Sequence, residues 1–295
     1  MKQSNTLVGI LWLSLAEILF VACWTAIKFL GSRLPLFEIV FFRAIISVVV
    51  LLPLVWWHMR SFRGSNLRRL FLRSLFGWIA MCLSFYGMIH LRMGNAATLI
   101  NTMPVFVALL SPAMLGEPLA RKQFVFILLA FAGVGFILKP DATILNAPAI
   151  LTLASGLLTA LAMIQIRQLH ATDTTMTITF YFTAISAILT APLAVRGFLM
   201  PTISEAGWLI FIGVVISFAQ LFMTRAYRYA GAATIAPFTY VAVIGAFVAG
   251  LIFFEEIPDG WSLIGAAIIA GGGIGVMLTA PHPEKVRQMQ AQGSN

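Results

Sequence analysis

Glu17, Lys28, Glu38 and Arg43 are charged side chains in or beside the first two of a series of long apolar runs. Placing one such charge in hydrocarbon costs about 2.5–3.5 kcal/mol, so each requires a partner or a wet cavity. Glu17 is near the middle of its run. Arg43 lies eight positions into the next, about 10–12 Å from that run's end at the rise of a helix. The chain crosses in opposite directions in the two runs, so both groups reach similar depth and a Glu17–Arg43 pair would satisfy them. Either that pair fixes helix packing, or one or both residues meet the charge of a solute. One acid and one base would suit a zwitterion such as an amino acid. Lys28 and Glu38 flank a short loop, where their stems can snorkel to an interface. They read as an anchor or local ion pair, with gating as the alternative.

A second constellation is a stretch that occurs twice. Gly94–Glu117 and Gly231–Glu256 both open with Ala-Ala-Thr, carry an internal proline (Pro104, Pro237) and end at a glutamate before a proline. Proline removes a backbone donor and disturbs the preceding turn, freeing the carbonyls of Ile100 and Ala233. Within a membrane such backbone is tolerated where protein or water satisfies it. Asn101 and Thr102 lie beside the first proline, Thr239 and Tyr240 beside the second. They line a solute site between the two copies, or simply cap the kinks. Glu117 and Glu256 read as turn and helix-start residues, with a gate as the sharper alternative. Trp24, Trp78 and Tyr86 offer faces for stacking or cation–π contact. Gln165 and Gln220 carry amides that are expensive in lipid unless paired.

These residues need elements to hold them, and composition restricts which. Of 295 residues, 60% are hydrophobic and 10% charged, against about 25% charged in soluble domains. The chain therefore reads as a membrane protein. The +9 net charge comes from Lys and Arg in short loops, not from one basic face, which argues against nucleic acid. Cys23 and Cys82 fall within apolar runs and imply neither a disulfide framework nor a metal site. His58, His90, His170 and His282 are scattered. No His-Glu-x-x-His or Gly-x-Ser-x-Gly pattern occurs, so an intramembrane enzyme is disfavoured and no cofactor is expected. A sensor would need a signalling module that is not evident.

A spanning helix takes about 20 mainly apolar residues. Ten runs qualify: 7–29, 36–57, 70–90, 96–115, 122–139, 147–167, 174–195, 206–226, 232–254 and 261–279. They are continuous, not alternating, which favours helices over a barrel. The basic loop His58–Arg69 places both termini and the 280–295 tail in the cytoplasm. Lys28 and Arg167 are 139 residues apart, as are Pro53 and Pro192; Gly77 and Gly213 are 136 apart. The expectation is an all-α integral membrane protein of ten transmembrane helices in two five-helix repeats, 7–139 and 147–279. Five is odd, so the second repeat is inverted, a plan of secondary transporters with the site at the repeat interface. The symmetry lapses at Arg43, whose counterpart by offset is Phe182. A channel or facilitator is the alternative, disfavoured by the repeat and by the absence of a charged ring.

The segments Ala26–Lys28, Glu38–Arg43, Met103–Phe106, Gly116–Glu117 and Phe254–Glu256, with the glycine-rich ends at Gly133/Gly135 and Gly272/Gly273/Gly275, resemble the EamA-type branch of the drug/metabolite transporter superfamily. The resemblance covers nearly the whole chain in two units. It implies ten helices and alternating-access transport of a small organic metabolite (amino acid, amine, nucleoside or vitamin-like solute) across the inner membrane. Export is favoured over import, with a proton or counter-substrate as a further partner alongside the lipid bilayer. Substrate identity and oligomeric state stay open. Glu17 is not part of the family's pattern.

Overall fold

The computed structural model describes residues 3–58, 64–115, 120–138, 147–229 and 236–279. Glu117, Ala232–Thr234 and the 280–295 tail lie outside them. Among the described residues every element is helical. The order is α1 (Gln3–Leu30), α2 (Leu36–His58), α3 (Leu67–His90), α4 (Met93–Ile100), α5 (Met103–Leu115), α6 (Arg121–Leu138), α7 (Ala147–Leu169), α8 (Thr175–Ala194) and α9 (Ile203–Tyr229). A 3-10 turn (Ala236–Thr239), α10 (Tyr240–Phe254) and α11 (Gly260–Leu278) complete it. Eight of these units are long and apolar enough to cross a membrane, with α4 and α5 counted together as Met93–Met114; α10 is a shorter apolar helix. Ten comparable spans were expected from the sequence; α6, at 18 residues, and α10 are not among the eight. The second proline stretch falls short because its regular helix begins only at Tyr240 and runs 15 residues.

Helix starts follow local chemistry. Asn66, Thr174 and Asp259 each accept a hydrogen bond from the backbone N–H three residues on, capping α3, α8 and α11. The bundle inverts the soluble pattern. Leu11, Ile18, Val49, Phe124, Val125, Ile188, Ile244 and Phe253 are exposed, while Thr98, Ser155, Thr183 and Ser186 are buried. Lipid demands this, because apolar side chains lose nothing by facing it and polar ones must find partners inside.

The main packing pairs all join residues before 139 to residues after 146. They are α1 with α9, α3 with α7, α2 with α8, and α6 with α11; α4 and α5 also pack on α7, and α10 on α1. The α6–α11 contact is close because both helices carry glycine. A Cβ on Gly133 would lie 2.9 Å from the Gly265 carbonyl oxygen, and one on Gly272 2.9 Å from that of Phe126. Small residues permit such backbone approach, which replaces the hydrophobic drive missing between helices in lipid.

Candidate functional site

Three sets of polar groups stand out. The first lies between α2, α3 and α8. Arg43 is 1% exposed and Arg73 4%. Their guanidinium carbons lie 5.2 and 4.0 Å from the centroid of the Phe182 ring. Arg43 Nη1 approaches Met81 Sδ at 2.8 Å, and the thiols of Cys23 and Cys82 are within its electrostatic reach. Beside this cluster Trp78 Nε1 donates to Thr190 Oγ1 at 2.7 Å. The Nε of each arginine is buried without a hydrogen-bond partner, and among the described residues neither arginine forms an ion pair.

The anticipated Glu17–Arg43 pair is therefore not formed. Glu17 lies on α1 six residues before Cys23, about 9 Å along the helix axis, and is 6% exposed. Tyr227 of α9 is within its electrostatic reach. One turn away Leu13 forms a buried cluster with Ala226, against which Tyr227, and Phe238 of the 3-10 turn, pack. Arg73 was not singled out from the sequence. Its place directly after Arg68 and Arg69 makes it look like the tail of a loop cluster. The signal was there, since a third arginine four residues further on is a full turn inside the span.

The second set is the two proline stretches. The first is a break and not a kink. α4 ends at Ile100 and α5 starts at Met103, with Pro104 in its first turn. Asn101 Nδ2 donates to the Ala97 carbonyl at 2.9 Å and Thr102 Oγ1 to that of Leu99 at 2.7 Å. These polar groups thus cap the break. It seats against Gly156 of α7, where a Cβ would stand 3.1 and 3.3 Å from the Leu99 and Ile100 carbonyl oxygens. In the second stretch Pro237 and the buried Thr239 lie in the 3-10 turn. Tyr240 donates its hydroxyl to the Ile269 carbonyl at 3.3 Å, over Gly273. The two copies touch directly: α4 packs on α10, with Gly94 beneath the Phe247 ring.

The third set closes one end of the bundle, where α1 terminates. Lys28 Nζ pairs with Glu256 Oε1 at 2.8 Å and donates to the Leu91 carbonyl at 2.5 Å. The second oxygen of Glu256 accepts from Met93 N at 2.6 Å. Arg92 pairs with Asp259 at 2.9 Å, and Arg33 with Glu205. Lys28 therefore does not pair with Glu38 across its own loop. Glu38 is buried, accepts from Leu199 N at 3.0 Å and leaves Oε1 unpartnered. All three ion pairs bridge the two halves of the chain.

The remaining candidates are dispersed. Trp24 stacks on Phe20 at 6.2 Å and Tyr86 lies over His90 at 4.0 Å. Gln165 is buried in α7, and Gln220 Oε1 is buried without a partner. No group of three His, Cys, Asp or Glu among the described residues could hold a metal.

Among the described residues the bundle is all-helical with an apolar exterior, eight units long and apolar enough to cross a membrane, and buried arginines without an ion pair, which makes it a multi-pass membrane protein. The family model of the EamA-like transporter family matches residues 7–139 and again 146–278. The chain belongs to the EamA-like transporter family, and it is a transporter of small metabolites. It is 31% identical over 263 residues to the pseudopaline exporter CntI of Pseudomonas aeruginosa, covering 88% of this chain and 93% of the relative. It is 27% identical over 263 residues to the S-adenosylmethionine uptake transporter of Rickettsia bellii, covering 89% and 90%. A solved crystal structure matches with a TM-score of 0.65 at 17% identity, over 98% of this chain and 100% of that one, which speaks to the fold.

Proposed function

We propose that the protein is an alternating-access carrier built from two inverted five-helix repeats, 7–139 and 147–279. It sits in the inner membrane with both termini cytoplasmic, and moves a small organic metabolite through a site at the repeat interface. The observation that carries this is the contact of Arg43 with Phe182. The two residues are each other's counterparts at the 139-residue offset, and counterparts meet only at an axis relating the halves. The helix pairs agree: exchanging the repeats turns α1–α9 into α7–α3 and leaves α2–α8 and α6–α11 unchanged. Inverted repeats give a carrier two mirror conformations, one open to each side.

In this reading the end closed by Lys28–Glu256, Arg33–Glu205 and Arg92–Asp259 is extracytoplasmic. Those cross-half pairs are the outer gate, which must part for release. Glu17 and Arg43 are the charges we assign to the solute, with Trp78 beside the arginine cluster. Asn101 donates to a carbonyl of its own helix and Tyr240 to one of α11, so both are spoken for within the protein, and the break and the 3-10 turn are assigned to movement between states. Export is favoured, on the likeness to an exporter; relatives named for uptake carry the opposite direction. Cysteines placed at Ser65 and Ser204 in a Cys23→Ala/Cys82→Ala background test the topology. Impermeant maleimide added to intact cells should label position 204 and spare 65. Labelling of both from one side would remove the inverted repeat.

A further inference from the structure

We propose that Arg43, Arg73 and Ser186 form an anion subsite between α2, α3 and α8 that binds a carboxylate of the transported solute. The inference rests on the carrier reading and narrows it to organic acids and zwitterions. Three buried polar groups there have no partner: Arg43 Nε, Arg73 Nε and Ser186 Oγ. Phe182, Ser186 and Thr190 recur every four residues and so share one face of α8. That face meets α2 and α3, because Phe182 takes both guanidinium groups and Thr190 takes the Trp78 indole N–H.

Two guanidinium groups within 5.2 Å of one ring centroid repel each other, and burial strengthens the repulsion. A cation–π contact with a phenyl ring offsets only part of the lost hydration. Among the described residues no carboxylate of the chain pairs with either arginine. Purely structural arginines would be expected to carry such a partner. Here the missing element is an anion, and the fork of guanidinium N–H groups matches the two oxygens of a carboxylate. Met81, Cys23 and Cys82 supply the apolar wall, and the Ser186 hydroxyl adds a neutral donor.

Phenylglyoxal condenses with guanidinium groups, and peptide mass spectrometry reads the adducts residue by residue. The test uses full-length protein in phosphatidylcholine nanodiscs, with succinate as probe and its uncharged diamide as control. Succinate should slow modification of both Arg43 and Arg73 about tenfold or more, the loss expected for charge-assisted hydrogen bonds, and the diamide should not. Arg73→Gln should abolish protection at Arg43. Arg73→Lys, which keeps the charge and controls for folding, should retain part of it. Arginines that stay unmodified throughout, or react equally with and without succinate, would be packing cations and would overturn the subsite. Flux in proteoliposomes separates this from the carrier reading. Transport indifferent to carboxylate against amide sinks the subsite alone, whereas protection without any flux sinks the carrier alone.

Discussion

Removing the Glu256 carboxylate should open the end of the bundle that we assign to the extracytoplasmic side. The Lys28–Glu256 pair has side chains 12% and 16% exposed, which sets its strength between two limits. A fully exposed pair contributes about 0.2–1 kcal/mol, and breaking a fully buried one costs about 3–5 kcal/mol. Glu256 also holds Met93 N, and Lys28 retains the carbonyls of Met88 and Leu91 after the carboxylate is gone. In Glu256→Gln the amide oxygen keeps one bond and the charge is lost, so about 2–3 kcal/mol leaves the closed state. At 1.4 kcal/mol per decade the open-to-closed ratio rises roughly 30- to 140-fold. The reporter is Asn95→Cys, in the cleft lined by Arg92, Phe247 and Glu256, with both native cysteines replaced. Its reaction rate with impermeant maleimide should rise by that factor while the open state stays the minority. Exchanging the charges, Lys28→Glu with Glu256→Lys, should recover only part. A lysine at 256 cannot accept from Met93 N, and a glutamate at 28 cannot donate to the Leu91 carbonyl. An unchanged labelling rate in Glu256→Gln and in Lys28→Met would refute the latch.

Gly156→Val should destabilise more than Gly156→Ala. The alanine Cβ already stands 2.7 Å from Thr102 Oγ1 and 3.1 Å from the Leu99 carbonyl oxygen, and overpacking costs about 1–3 kcal/mol; thermal unfolding in detergent reads it. Gly273→Ala places a methyl group where the Tyr240 hydroxyl sits, so Tyr240→Phe should reduce the damage when combined with it, and additive losses would argue against that contact. Thr190→Val leaves the Trp78 indole N–H without its acceptor, for a loss of about 1–3 kcal/mol and a shift in tryptophan emission, while Thr190→Ser should be nearly neutral.

The apolar runs were legible because lipid imposes one rule on every helix, and among the described residues eight helical units are long and apolar enough to cross a membrane. The break before Pro104 was legible in part. A missing N–H at 104 frees the carbonyl of residue 100, which is where α4 stops; the expected kink became a full break because Asn101 and Thr102 bond back to α4. What could not be read was partner choice over long separations. Lys28 and Glu256 are 228 residues apart, and local spacing offered Lys28 the nearer Glu38 instead. Arg43 invited pairing with Glu17 because both lay at similar depth, but depth does not say which face of a helix a side chain leaves from. Arg43 turns toward α3 and α8, and Glu17 lies within electrostatic reach of Tyr227 on α9.

Counterflow in proteoliposomes loaded with a mixture of cellular metabolites tests the carrier most directly, with mass spectrometry identifying each solute on both sides. Two repeats alternating around one site predict that at least one small organic solute crosses unchanged in mass, at a rate that saturates. That rate should increase when the same solute is present on the opposite side. Passage that never saturates and ignores the opposite side, or no passage of any small organic solute, would contradict alternating access.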